Sequence, residues 1–348
     1  MTEHPAGSSR ARRLLIGVLL LAAVIAVGWF VFAGLPWAEI GQALRDVSLG
    51  QLLVLLGLVL VRAVVLALPL SALMREVSPL QATRTDLAGN LVANFAPPPA
   101  DIGIRYAMFR SWKVNTAEAM AALSLSALLF YAARFTAPLL GFSLILLTRR
   151  FDDQYLLIAV MASAVALLII GALIVISRAE RSAAWLGRTA GSLVARVRDI
   201  DPANWEQATL AFREKVNDRL QRGWGGAAVA LLALFVVESI ILVVALRFVE
   251  VPSDAVPTVE IAGALLATYP LNMLPFGGLV LLDGAILEIL SAQGGAAFEA
   301  QIGAGLVLWR LATLLTPFIL GLLVLLHWQR HEGRGIKWRQ TVSDPESS

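Results

Sequence analysis

Apolar runs long enough to cross a membrane recur along the whole chain. A helix needs about 20 apolar residues to cross a hydrocarbon core of about 30 Å. With 58% hydrophobic and only 15% charged residues, the chain carries more apolar surface than a soluble core could bury. The sequence therefore predicts an all-α polytopic membrane protein with about six full transmembrane helices. The runs are Leu14–Leu35, Leu52–Met74, Thr116–Leu147, Tyr155–Ile176, Gly225–Phe248 and Ala300–His327.

Two further apolar segments, 79–112 and 259–292, are interrupted in the middle by proline and glycine. The first contains Pro97–Pro99 and the second contains Pro275–Gly278. Such a break frees backbone polar groups that lipid cannot satisfy, so it is tolerated only inside protein or beside a watery cavity. We therefore predict two re-entrant hairpins.

The distribution of basic residues predicts the orientation in the membrane. With six spans and two hairpins, the N-terminal tail, a polar linker and the C-terminal tail share one side, and these segments are rich in arginine. The positive-inside rule makes that side cytoplasmic, although Arg149 and Arg150 fall on the other side. We expect a multi-pass protein of the plasma (inner) membrane with both termini in the cytoplasm. Its segments are a tail (1–13), a first transmembrane half (14–176), a cytoplasmic amphipathic linker (177–222), a second transmembrane half (223–327) and a tail (328–348).

The two hairpins sit in matching contexts, each with an Asn-x-x-Pro motif. The motif begins at Asn94 in the first half and at Asn272 in the second. An arginine of the next span follows after 40 residues in one half (Arg134) and after 38 in the other (Arg310). One extra span separates the two units, which gives them opposite orientations. Inverted repeats with broken helices are typical of secondary transporters.

Buried charges in the spans are the main candidates for a site. A charge at membrane depth costs at least about 2.5 kcal/mol, so it must face a cavity or a partner. The arginines in the spans could hold a phosphate head group, because a guanidinium binds phosphate through two parallel hydrogen bonds. Alternatively, they pair with Glu238, Asp101 or Asp283. Glu238 is either the partner of Arg62 or a proton-coupling acid. The predicted substrate-binding residues are Arg62, Asn94, Asp101, Arg105, Arg134, Glu238, Asn272, Asp283 and Arg310.

Some of these candidates also have a purely structural interpretation. Asp101 and Arg105 are four residues apart and share one face of a short helix. Asp101 could bind substrate there or only cap the helix start. Asn94 and Asn272, at the two breaks, could bind substrate or satisfy freed backbone carbonyls.

The residue content excludes several kinds of chemistry. The chain has no cysteine, and its three histidines lie near the ends. We find no Ser-His-Asp or metal-ligand pattern, so we expect no enzymatic activity and no cofactor. The net charge of +3 is too small to indicate nucleic acid as a partner.

Several short motifs resemble one known family. The segments Pro97–Arg110 and Leu274–Gly278, with Asp283 and the helix around Arg310, are similar to the flippase-like membrane domain of lysylphosphatidylglycerol synthases. The similarity covers about residues 52–326. Family members tend to have a richer glycine run, and often Glu where this chain has Asp283. Nothing after residue 327 is long enough for the soluble aminoacyl-transferring domain of the bifunctional members. The resemblance therefore implies moving a lipid rather than making it.

The favoured hypothesis is a flippase or transporter that moves an anionic lipid between leaflets. The lipid could be a glycerophospholipid or a polyprenyl-phosphate-linked carrier. The first alternative is a non-catalytic membrane partner of an envelope lipid or glycan biosynthesis complex. The second is a membrane-embedded lipid-modifying enzyme. Membrane lipids with a phosphate head group are the expected partners, and a homo-oligomer is compatible with the sequence.

Overall fold

The computed structural model describes residues 37–95, 100–147, 202–274, 278–292 and 296–332, with four single positions between 164 and 171. Regular structure in these residues is helical throughout, without a strand. The helices are α1 (Trp37–Arg45), α2 (Leu49–Leu73), α3 (Pro79–Phe95), α4 (Ala100–Ser111), α5 (Thr116–Leu147), α6 (Pro202–Phe248), α7 (Thr258–Thr268), α8 (Leu281–Leu290), α9 (Glu299–Arg310) and α10 (Thr316–His331). A 3₁₀ turn (Tyr269–Met273) continues α7, another (Ala296–Phe298) precedes α9, and a π-helical turn (Leu311–Leu315) joins α9 to α10.

Four helical segments among the described residues are long and apolar enough to cross a membrane. Four of the predicted spans are thereby confirmed as helices of membrane-spanning length. The predicted spans Leu14–Leu35 and Tyr155–Ile176 lie outside the described residues, apart from four helical positions in the second. The N-terminal tail and residues 333–348 also lie outside them. The four segments are Leu49–Leu73, Thr116–Leu146, Gly223–Phe248 and Glu299–His331, with mean hydropathies of 2.7, 1.6, 2.9 and 2.0.

Helix α6 extends well beyond its membrane-spanning segment. It runs without interruption for 47 residues from Pro202, which is about 70 Å at 1.5 Å per residue. The segment long and apolar enough to span begins only at Gly223. The second half of the predicted linker 177–222 is therefore helical and continuous with a span. Its first half lies outside the described residues.

Each predicted hairpin segment contains two helices with a break between them. Helix α3 packs against α4, and α7 packs against α8. The centres of the breaks, residues 96–99 and 275–277, lie outside the described residues. Directly after the second break, Gly278 has φ +70°, a conformation that glycine adopts at no steric cost. A Cβ atom there would overlap the Leu271 carbonyl, so this tight turn requires glycine.

The span that follows each predicted hairpin segment packs on the hairpin segment of the other half. Helix α5 packs against α7, and α10 packs against α3. A glycine allows each close approach. Gly141 of α5 lies against the backbone of Gly263 and Ala267 in α7, and Gly321 of α10 lies against the Leu87 carbonyl in α3. The spans that precede the two hairpin segments, α2 and α6, also pack against each other.

Replacing Gly141 or Gly321 by alanine should destabilise the protein. The new methyl group would overlap neighbouring backbone, and overpacking of this kind costs about 1–3 kcal/mol. Gly57→Ala is the matched control, because a Cβ atom at this position of α2 would have nothing within 4 Å. Thermal unfolding in detergent should give lower midpoints for Gly141→Ala and Gly321→Ala, but not for Gly57→Ala. Equal midpoints for all three variants would contradict these close contacts.

Candidate functional site

A cavity of about 530 Å³ lies between the helices and is lined by charged side chains. We call it the charged cavity. Most of its walls come from α2, α3, α4 and α5, with one residue from α6 and one from the 3₁₀ turn after α7. Six of the nine predicted site residues line it, and so do Asp86 and Asn90, which were not predicted as site residues. These eight are Arg62, Asp86, Asn90, Asp101, Arg105, Arg134, Glu238 and Asn272.

Arg62 and Glu238 form an ion pair that links α2 to α6, the spans that precede the two hairpin segments. The Arg62 Nε atom donates to Glu238 Oε1 at 2.8 Å, and Nη2 lies 2.7 Å from the same oxygen. The Glu238 side chain is 4% exposed and that of Arg62 is 16% exposed. The prediction that Glu238 is the partner of Arg62 is confirmed. Pairing offsets the cost of holding both charges at membrane depth.

Arg105 is held by the helix that precedes it in the same hairpin. Its Nη1 atom lies 3.5 Å from Asp86 Oδ1, and its Nη2 atom donates to Asn90 Oδ1 at 3.5 Å. The Asn90 amide also donates to Asp86 at 2.8 Å. Gly89 makes this possible, because a Cβ atom there would overlap the guanidinium. The signal available in the sequence was the spacing of Asp86 and Asn90, four residues apart and therefore on one helix face.

Arg134 differs from these two arginines, because it has no carboxylate partner among the described residues. Its Nε atom is buried and finds no hydrogen-bond acceptor in that part of the chain. The guanidinium lies 4.6 Å from the centre of the Phe130 ring, 6.0 Å from that of Tyr131 and 5.9 Å from that of Tyr269. Such cation–π contacts stabilise the charge by about 0.5–2 kcal/mol. They leave the N–H donors available for an anion.

Tyr269, which was not predicted as a site residue, lies in the second hairpin segment and contacts Arg134. The side chain is 1% exposed, and its hydroxyl has no hydrogen-bond partner among the described residues. Its ring packs edge-on against Phe235 at 5.0 Å. The available signal was its position three residues before Asn272, within the interrupted helix.

The remaining hairpin candidates occupy different environments. Asp101, in the first turn of α4, and Asn272 both line the charged cavity. Asn94 is exposed, and its amide donates to the Asn90 carbonyl at 2.8 Å. This bond is the structural role considered for Asn94. No group of three or more His, Asp or Glu side chains suited to a metal ion occurs within the described ranges.

Arg310 and Asp283 pair with each other in a separate cavity of about 450 Å³. Arg310 Nε donates to Oδ1 and Oδ2 of Asp283 at 2.6 and 2.8 Å. The Trp309 ring lies 4.5 Å from the guanidinium carbon, and the other cavity walls are mainly apolar side chains of α8, α9 and the π-helical turn. The pairing alternative for Arg310 is therefore confirmed. Within the described residues, Arg134 and Arg310 line different cavities.

A bundle of apolar helices, with ion pairs and a charged cavity enclosed between them, defines a polytopic helical membrane protein. The family comparison is more specific. Residues 14–321 match the family described as the lysylphosphatidylglycerol synthase TM region, and the chain belongs to that family. The resemblance noted in the sequence is thus confirmed. No curated protein matches the chain in a sequence search.

Proposed function

We propose that the protein moves a lipid with an anionic, phosphate-containing head group between the leaflets of the plasma membrane. The main support for this proposal is the environment of Arg134. It is a guanidinium in a membrane-spanning helix, and it lines a cavity without a carboxylate partner in the described part of the chain. A phosphate would give the N–H donors of Arg134 an acceptor, because a phosphate accepts two parallel hydrogen bonds from one guanidinium. Membership of the lysylphosphatidylglycerol synthase TM family supports a lipid as the substrate.

The other two arginines of the cavity would assist this site, but Arg134 would be its main ligand for the phosphate. Arg62 and Arg105 are already paired with carboxylates, so they contribute little net positive charge. We propose that Asp101 and Asn272 contact the polar part of the head group from the two hairpins. The lipid chains would remain in the bilayer, since only the head group needs the charged cavity.

The packing supports the proposed inverted repeat. Two repeat units that are related by a two-fold axis make reciprocal contacts. The contact of α5 with α7 is the counterpart of the contact of α10 with α3. The glycines at these contacts are also counterparts, because Gly141 lies 47 residues after Asn94 and Gly321 lies 49 after Asn272. Arg62 and Glu238, at equivalent positions in the two units, pair across the proposed axis.

Aligning the two units on Asn94 and Asn272 also explains why Arg134 differs from Arg310. Asp283, the partner of Arg310, lies 11 residues after Asn272. The position 11 residues after Asn94 is Arg105. The first unit therefore carries a cation where the second carries the neutralising acid. We propose that the first unit supplies the head-group site, and that the Arg310–Asp283 pair mainly joins the second hairpin to the last span.

The topology makes a labelling prediction. In the proposed arrangement of six spans and two re-entrant hairpins, Asp254 faces outside and Arg188, which lies outside the described residues, faces the cytoplasm. The chain has no cysteine of its own, so Asp254→Cys and Arg188→Cys each create a single labelling site. An impermeant thiol reagent added to intact cells should label Asp254→Cys only, and Arg188→Cys should react after the membrane is opened. Labelling of both variants from one side would contradict the inverted repeat.

Reconstitution with a panel of lipids tests the proposed activity. Two lipids with the same chains should be compared, phosphatidylglycerol and a diacylglycerol glycolipid that lacks phosphate. We expect the protein to accelerate the movement of phosphatidylglycerol between leaflets of proteoliposomes, with little effect on the glycolipid. Equal acceleration of both lipids would argue against a phosphate site. Acceleration of neither would favour the alternative role as a non-catalytic partner.

A further inference from the structure

We propose that head-group transport is coupled to a proton, and that Glu238 is the side chain that takes it up. This inference rests on the proposed function, because it concerns the charge balance of the charged cavity when a phosphate enters.

One edge of the Arg62 guanidinium is fully occupied by Glu238. The Nε and Nη2 atoms form that edge, and both contact the same carboxylate oxygen at 2.8 and 2.7 Å. This edge has the fork geometry that binds phosphate through two hydrogen bonds. A phosphate at Arg134 could therefore gain this edge of Arg62 only by displacing Glu238. The displaced carboxylate would then lie beside an anion in a medium of low dielectric constant.

Among the described residues, the only other cation near Glu238 is Arg134, which is the residue that would bind the phosphate. Arg62 approaches from α2, Arg134 from α5, and the Tyr269 hydroxyl from the turn after α7. Helices α7 and α9 also pack against α6, and their described residues add no charged side chain to the cavity wall. A displaced Glu238 would thus share Arg134 with the phosphate. Protonation of Glu238 would remove the repulsion between these two anions.

The charge count of the cavity leads to the same result. Its described lining contains three arginines, Arg62, Arg105 and Arg134, and three acids, Asp86, Asp101 and Glu238. The lining is therefore neutral, and one phosphodiester makes it negative by one charge. An uncompensated buried charge is strongly unfavourable, and carboxyl groups respond by taking a proton. Glu238 is the acid expected to do so, because its side chain is 4% exposed, whereas that of Asp86 is 22% exposed and Asp101 is only partly buried.

The coupled step is a simple protonation. The Glu238 carboxylate takes one proton, which the acid form of the buffer on that side of the membrane gives up, and becomes a neutral carboxylic acid, while the phosphate takes its place on Arg62. Release of the head group on the other side of the membrane reverses both events. Lipid movement in one direction would then carry a proton in the same direction. A proton gradient would bias the transport.

Isothermal titration calorimetry with glycerophosphoglycerol tests this proposal on the full chain in detergent. This probe is a phosphodiester, so it lacks the second ionisation near pH 6 of a phosphate monoester. Titrations in buffers with different ionisation enthalpies count the protons taken up per bound molecule. We expect about one proton for the wild type, with affinity rising by up to about tenfold for each unit of pH lowered. The variant Glu238→Gln should take up no proton, and its affinity should not change with pH.

Two further variants keep the result interpretable. Glu299→Gln makes the same chemical change at an exposed residue of α9 outside the cavity, and it should retain the proton uptake. Arg62→Gln/Glu238→Gln removes both members of the ion pair, so it leaves no buried partner stranded if Glu238→Gln alone fails to fold. It should bind the probe through Arg134 without a proton. Binding without proton uptake in the wild type, or unchanged uptake in both Glu238 variants, would overturn the coupling and leave the phosphate site standing. Absence of binding to the wild type would overturn the phosphate site itself, and the coupling with it.

Discussion

Arg134→Ala should weaken head-group binding by at least tenfold while leaving the protein folded. A hydrogen bond to a charged group contributes about 1.5–3 kcal/mol, which corresponds to a factor of about ten to more than one hundred. The stability should change much less than it does when an ion pair is broken, because the Nε atom of Arg134 has no hydrogen-bond partner among the described residues. The loss of the Phe130 cation–π contact is offset by the removal of a buried, unsatisfied donor.

The variant Arg134→Lys separates the effect of the positive charge from that of the planar guanidinium. Lysine keeps the charge and loses the planar fork, so binding should lie between that of the wild type and that of Arg134→Ala. Arg110→Ala is the matched control, because Arg110 is exposed at the end of α4 and does not line the charged cavity. Binding of glycerophosphoglycerol and thermal unfolding should be measured on the same samples. If Arg134→Ala lost stability in step with binding, Arg134 would be a structural residue rather than the head-group site.

For Arg310→Ala we expect the opposite outcome, a large loss of stability. Arg310→Ala would strand the Asp283 carboxylate, which Arg310 now contacts at 2.6 and 2.8 Å. Removing one partner of a buried ion pair typically costs about 3–5 kcal/mol. We expect Arg310→Ala to lower the unfolding midpoint strongly or to prevent accumulation of folded protein.

A double variant separates pairing from ligand binding at this site. In Arg310→Met/Asp283→Leu both charges are replaced by apolar side chains, which suit the mainly apolar wall of that cavity. Such replacements of whole buried pairs are often neutral or stabilising. The double variant should therefore regain most of the stability that Arg310→Ala loses, as measured by thermal unfolding in detergent. Failure to regain it would mean that Arg310 or Asp283 has a role beyond their mutual contact.

Four of the spans and the two interrupted helical segments could be predicted from the sequence because they depend on local features. A run of apolar residues such as Leu52–Met74 must form a membrane-length helix, since lipid satisfies no backbone group. The pairing of Arg62 with Glu238 was also predictable, because two opposite charges at membrane depth favour each other strongly. Both inferences need only the hydrophobic pattern and the cost of burying charge.

The arrangement of the remaining charged residues could not be predicted in this way. Arg134 and Arg310 look alike in the sequence, each lying a few residues before a proline in an apolar span. Only the fold distinguishes them, because α8 brings Asp283 to Arg310. The contact of Tyr269 with Arg134 likewise depends on the packing of α5 against α7. Contacts between distant segments are set by helix packing, which a hydrophobic pattern does not specify.

The most direct test of the central claim is the initial rate at which phosphatidylglycerol changes leaflet in proteoliposomes. Wild-type protein and Arg134→Gln should be reconstituted at equal density, beside protein-free liposomes of the same composition. We predict a clear acceleration by the wild type and a rate near that of protein-free liposomes for Arg134→Gln. A wild-type rate equal to the protein-free rate, or equal rates for the two proteins, would contradict lipid transport through the charged cavity.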